Sequence, residues 1–175
     1  MNHVLVVVDM QNDFIDGALG TKEAEAIVDK VVEKIENCDG PVFATRDTHT
    51  EKYLESLEGK NLPVVHCVRG TKGWEIEDRV AAALEKKGAE VIDKPTFGST
   101  QLAGFVSVID RMTHIDEIEL VGVCTDICVI SNALLIKAFV PEVKITVLKD
   151  LCAGVTPEAH ETALKAMQSC QINIV

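Results

Sequence analysis

Five consecutive aliphatic residues, Val4-Leu5-Val6-Val7-Val8, lead straight into Asp9. A strand with one face in water alternates apolar and polar side chains, and this run has no polar position to turn outward. It therefore needs cover on both faces, which a parallel sheet between two layers of helices provides. Further strand candidates follow at residues 41–46, 90–93, 117–121, 143–148 and, with a weaker pattern, 171–175. Helical patterns fill the gaps at 22–37, 75–87, 99–113, 126–139 and 157–169. Thr21 is placed to cap a first turn carrying Glu23, and Thr156-Pro157 pairs a cap with proline at the first helical position. Gly40 and Gly88 stand just beyond helical patterns, where left-handed caps are favoured. The alternation predicts a three-layer α/β/α fold with a mostly parallel six-stranded sheet. At 175 residues the chain is long enough for one full core, so a single domain over 1–175 is expected. No repeat or low-complexity tract interrupts it. Residues 47–74 lack clear periodicity, and a loop that long in a compact domain is usually functional or disordered.

The charge balance narrows the function classes. Twenty-eight acidic residues against 17 basic ones give a formal net charge of -11, which opposes non-specific binding to nucleic acid and to anionic membranes. No apolar run approaches the roughly 20 residues that span a bilayer. The first residues, with no basic lead and no small-residue cleavage site, do not read as a signal peptide. Six cysteines, at 38, 67, 124, 128, 152 and 170, are therefore expected as reduced thiols in a cytoplasmic protein.

Polar residues appear where each apolar strand stops. The first ends at Asp9, the second at Arg46-Asp47, the third at Asp93-Lys94, and the fourth runs through Gly122-Val123-Cys124-Thr125-Asp126-Ile127-Cys128 into a helix. In a parallel sheet these ends share one edge, where chemistry collects. Cys128 falls in the first turn of its helix, where free N–H groups and the helix dipole favour a thiolate and an oxyanion. Lys94 would lower its pKa further, and Asp9 could take the proton and pass it to a leaving amine. The same residues also read as a buried packing thiol beside a structural salt bridge.

Three segments carry a resemblance. Val7-Val8-Asp9-Met10-Gln11-Asn12-Asp13-Phe14, Lys94-Pro95-Thr96-Phe97-Gly98-Ser99 and Gly122-Val123-Cys124-Thr125-Asp126-Ile127-Cys128-Val129 resemble, in order, the catalytic blocks of the isochorismatase-like cysteine hydrolases, and nicotinamidases in particular. The resemblance implies Asp9 as general base, Lys94 as its electrostatic partner and Cys128 as nucleophile. It also implies a cis peptide at Val123-Cys124, with the amides of Cys124 and Cys128 forming an oxyanion hole.

Asp47-Thr48-His49 and the later His66 combine carboxylate and imidazole, a set suited to zinc, manganese or iron(II). By spacing alone His49 and His66 read as ordinary polar loop residues ahead of ligands. The resemblance implies one divalent metal ion, zinc foremost, on Asp47, His49 and His66, with Glu58 as a further candidate ligand. Phe14 and Phe97 are the expected walls for a flat ring. Nicotinamidases tend to place aromatics where this chain has Pro63 and Gln101, a departure that leaves the amide itself open. The reading is an amidohydrolase converting a small carboxamide, nicotinamide foremost, to acid and ammonia within NAD salvage, as a homo-oligomer by family analogy. A related hydrolase of carbamoyl or vinyl-ether substrates and a non-catalytic binding module of the same fold stand as alternatives.

Overall fold

The computed structural model describes residues 2–175. Six strands form one sheet: β1 (His3–Val8), β2 (Val42–Asp47), β3 (Glu90–Lys94), β4 (Glu117–Val123), β5 (Lys144–Ala153) and β6 (Asn173–Ile174). Their order is β3-β2-β1-β4-β5-β6 and every neighbouring pair is parallel. The helices are α1 (Asn12–Ile15), α2 (Lys22–Glu36), α3 (Leu57–Asn61), α4 (Asp78–Lys86), α5 (Thr100–Thr113), α6 (Ile130–Phe139) and α7 (Pro157–Ser169). None is long and apolar enough to cross a membrane.

The apolar run at the N-terminus behaves as its composition requires. Val4, Val6 and Val8 pack into one core with Leu102, Val106, Ile136 and Met167 from α5, α6 and α7. Leu5 and Val7 point the other way, against Val28, Val31, Val80 and Leu84 from α2 and α4. Strand period two thus feeds both cores from one segment. The helix caps hold as expected: Thr21 Oγ1 accepts from Ala24 N–H and Thr156 Oγ1 from Ala159 N–H, each at 3.1 Å.

Three elements differ from the sequence expectation. The fifth strand runs on to Ala153, because a shift in its pairing with β4 past Leu120 lets residues 148–151 loop out before Cys152 rejoins Gly122. The 47–74 segment is built from an isolated turn at Tyr53–Glu55, helix α3 and a bridge between His49 and Val68, so it is an ordered structure without a long period. Gly88 takes the left-handed conformation (φ +62°), but Gly40 does not cap α2, whose C-cap is Asn37. A Cβ at Gly40 would stand 1.8 Å from the His3 carbonyl oxygen, so close approach to β1 is what glycine permits there.

Strand order reverses between β1 and β4: β2 and β3 lie on one side, β5 and β6 on the other. Ligands of open parallel sheets bind at such a switch point, beyond the carboxyl ends of the strands. The two strands approach closely there because Gly122 (φ +117°) sits opposite Val8, and a Cβ would lie 2.1 Å from the Val8 carbonyl oxygen. Gly122→Ala is expected to destabilise the fold by about 3 kcal/mol or more through strain and overlap. Gly104→Ala, in the interior of α5 with open space around it, is expected to stabilise by roughly 0.5–1 kcal/mol. Urea midpoints of the two variants check both signs.

Candidate active site

Asp9, Lys94 and Cys128 meet at the switch point. Asp9 follows the last residue of β1 in a left-handed backbone conformation (φ +48°), Lys94 ends β3, and Cys128 lies in the turn after β4. The Lys94 ammonium is 2.7 Å from Asp9 Oδ2 and 3.5 Å from both Cys128 Sγ and Asp47 Oδ1. Thr45 Oγ1 donates to Asp9 Oδ1 at 2.7 Å. Asp9 Oδ2 is buried with the Lys94 ammonium as its close partner. All three residues are buried.

Cys128 is not in an α-helical first turn. Residues Thr125–Val129 form a wider π-turn, in which Val129 N–H donates to the Cys124 carbonyl five residues back at 3.0 Å, and α6 follows. The peptide between Val123 and Cys124 is cis. Cys124 and Cys128 both line the cavity above this turn.

Burial decides the protonation states here. It pushes the Cys128 thiol up, Asp9 adds to that, and Lys94 offsets only part, so the thiol titrates well above its ordinary range. The sequence expectation of a lowered thiol pKa is therefore reversed, since removal from water outweighs one ammonium. Burial likewise raises the Asp9 carboxyl, with Lys94 opposing and Asp47 assisting. For Lys94, burial disfavours the charge, but Asp9, Cys128 and Asp47 more than compensate and hold the ammonium protonated. Burial thus raises both the Cys128 thiol and the Asp9 carboxyl, with Lys94 opposing each shift.

Asp47, His49, Glu58 and His66 form a second cluster, with one ligand atom from each lying within 4.8 Å of the others. His49 Nε2 is 2.9 Å from Asp47 Oδ2 and 3.5 Å from Glu58 Oε1, and His66 Nε2 is 3.6 Å and 3.7 Å from the same two oxygens. The His66 ring is oriented through Nδ1, which lies 2.8 Å from the Val64 carbonyl, leaving Nε2 to face the cluster. His49 Nε2 is buried close to two carboxylates without a well-aligned hydrogen bond to either, a cost that coordination to a cation would remove. Two imidazoles and two carboxylates with an orphaned ring nitrogen fit a divalent cation. Tyr53, buried, stands behind both histidines at ring distances of 4.7 and 4.9 Å, and its hydroxyl donates to the Leu62 carbonyl.

Cys128 from the first cluster and Asp47, Glu58 and His66 from the second line a cavity of about 630 Å3, with Asp9, Lys94 and His49 set behind its wall. Phe14 lines it and lies tilted against His66 at 5.5 Å, while Phe97 stands at its mouth. Pro63 and Gln101 do not line it; Asn61 and Leu62 do. Trp74 packs away from it beneath the Arg46 guanidinium, 3.5 Å from the ring centroid, and donates to Thr48.

Two buried amides hold this geometry and have no periodic signal in the sequence. Gln11 accepts from Asp47 N–H at 2.7 Å and donates to the carbonyls of Asp47 and Trp74 at 2.8 and 2.9 Å, tying β2 to the chain after β1. Asn132 donates to the carbonyls of Cys128 (2.8 Å) and Phe97 (3.2 Å) and accepts from Ser99 N–H (2.9 Å), joining the cysteine turn to the loop after Lys94. The Gln11 signal was its place in the first motif; Asn132 lies beyond the third. Asn132→Leu, similar in size but without the polar atoms, is expected to cost about 2–4 kcal/mol in urea unfolding by stranding buried backbone groups. A change within roughly 0.5 kcal/mol, the ordinary surface range, would show that the amide has no such role.

The isochorismatase domain family matches residues 3–175. The isochorismatase family protein PncA of Bacillus subtilis (strain 168) is 32% identical over 176 residues, covering 94% of this chain and 93% of that protein. The nicotinamidase/pyrazinamidase of Mycobacterium tuberculosis is 28% identical over 188 residues, covering 98% of this chain and 97% of its own. The crystal structure of Pyrococcus horikoshii pyrazinamidase in complex with zinc superposes with a TM-score of 0.75 at 30% identity, over 100% of this chain and 99% of that one. The all-parallel sheet with its Asp9–Lys94–Cys128 edge and the match along nearly the whole length agree: this chain belongs to the isochorismatase family.

Proposed function

We propose that this protein is a cysteine amidohydrolase that cleaves the C–N bond of a small carboxamide, nicotinamide foremost, giving the acid and ammonia. The observation that carries the reading is the buried contact of the Lys94 ammonium with both Asp9 and Cys128, of which Cys128 lines a cavity. The names of the relatives, nicotinamidase and pyrazinamidase, support amide hydrolysis as the reaction class. A vinyl ether is cleaved by protonation and water and needs no thiol nucleophile, so Cys128 on the cavity wall favours the amide.

Cys128 Sγ attacks the amide carbon as its proton passes to Asp9, whose raised pKa makes it a competent base. The oxyanion is held by the backbone N–H groups of Cys124 and Cys128. Asp9 then delivers the proton to the nitrogen, ammonia leaves, and an acyl thioester remains on Cys128. Water attacks the thioester with Asp9 again as base; the thiolate leaves, regains the proton, and the acid departs. Lys94 keeps Asp9 oriented and offsets the negative charge that moves between sulfur and carboxylate.

Asp47, His49 and His66, with Glu58, would hold the metal, zinc foremost with manganese or iron as alternatives. A bound divalent ion supplies a Lewis acid that anchors a ring nitrogen and so orients the carboxamide. Phe14 and Phe97 flank the ring. The same reading places the activity in NAD salvage in the cytoplasm, with the chain as a homo-oligomer.

Cys128→Ala is expected to lower ammonia release from nicotinamide by on the order of ten-thousandfold or more, with metal content unchanged. Near-normal turnover by that variant would contradict the mechanism. His49→Ala is expected to weaken zinc binding by roughly a hundredfold or more in equilibrium dialysis, at the upper end of the loss seen when a ligand's support is removed. Unaltered zinc affinity would remove His49 from the ligand set.

A further inference from the structure

The cavity is larger and more apolar than a single-ring amide requires. Its charged and reactive lining is Cys128, Asp47, Glu58 and His66; Thr21, Asn61 and Thr96 add neutral polar groups, and the apolar wall includes Leu19, Leu57, Leu62, Phe97, Ile127 and Val155. Four of these expose much of their surface: Leu57 77%, Val155 49%, Phe97 46% and Leu62 38%. None of the four belongs to either packed core. They converge from three separate segments, namely α3 with the residue after it, the loop after β3, and the loop after β5, so they are not one helix's leftover stripe. Single exposed apolar residues are ordinary, but four around one cavity form a patch of the kind that marks a binding surface.

Volume points the same way. Cavities of roughly 300–1,000 Å3 enclose ligands of drug size. At about 630 Å3, this one leaves most of its space unfilled by a single-ring carboxamide placed over Cys128. Continuity with the reactive floor makes the substrate's own remote portion the natural occupant. An anionic group there would meet the Glu58 carboxylate and no lysine or arginine among the lining residues.

We propose that, within the small carboxamides of which nicotinamide is the parent, the site accepts the bare ring but favours a heteroaromatic carboxamide carrying an apolar substituent on the ring edge remote from the amide, seated against Leu57, Leu62, Phe97 and Val155. This inference rests on the amidase reading, because it takes Cys128 as the point where the amide is held. The substituent adds buried apolar contact without taking part in bond making, so it acts mainly through KM.

The test compares ammonia release by the zinc-loaded full chain from nicotinamide, 5-propylnicotinamide, 5-phenylnicotinamide and 5-carboxynicotinamide. The propyl and phenyl compounds are expected to show kcat/KM about tenfold or more above nicotinamide, the scale of well-fitted apolar groups, and the carboxy compound a value below it. Nicotinamide hydrolysed as well as or better than the alkyl and aryl compounds would overturn the inference and leave the amidase reading standing. No ammonia from any of the four would overturn both. Leu57→Asp, a change at an exposed position, is expected to bring the propyl and phenyl advantage to within about twofold of nicotinamide. Persistence of the full advantage in that variant would overturn the assignment of the wall.

Discussion

The Lys94 ammonium is the group on which the site's arrangement depends. It is almost wholly buried, and a buried charge is tolerated only when paired. Its partners come from three other places in the chain: Asp9 after β1, Asp47 at the end of β2 and Cys128 in the turn after β4. Removing one partner of a buried ion pair typically costs 3–5 kcal/mol, so the four strand ends are locked to one another by a single amine. The same amine joins the two clusters, since Asp47 faces Lys94 through Oδ1 and the histidines through Oδ2.

That convergence follows from the sheet. An apolar β1 must be central, and a central first strand with β2 on one flank and β4 on the other creates the crevice where Asp9 and the cysteine turn face each other. Gly122 lets β4 approach Val8 at that point. Function is therefore placed by backbone topology first and tuned by burial afterwards. Burial makes the thiol harder to ionise and the carboxylate a better base, and the proton transfer proposed between them would use both effects.

Much of this could be read from residue patterns because it rests on local periodicity. The two-faced β1 run, the capped helices α2 and α7 and the polar residues at strand ends each have a signature a few residues long. The three motif blocks together carried the family resemblance. What escaped reading depends on contacts between distant segments. Gln11 and Asn132 are single amides whose partners are tens of residues away, and Tyr53 is one aromatic in an aperiodic loop. The sign of the thiol shift was misread because a helix start and a lysine are visible in sequence, whereas near-complete removal from water is not. Cavity walls are hidden for the same reason: Leu57, Leu62, Phe97 and Val155 become neighbours only when three separate segments fold around one cavity.

The central claim is that Cys128 carries the acyl group during turnover. Rapid mixing of the zinc-loaded protein with nicotinamide, acid quenching within the first turnovers and mass analysis of the cysteine peptides tests it directly. The account predicts a nicotinoyl group on Cys128 alone, present while substrate lasts and gone when it is exhausted. Steady ammonia release with no acylated cysteine at any time, or with the acyl group on Cys124, would contradict it.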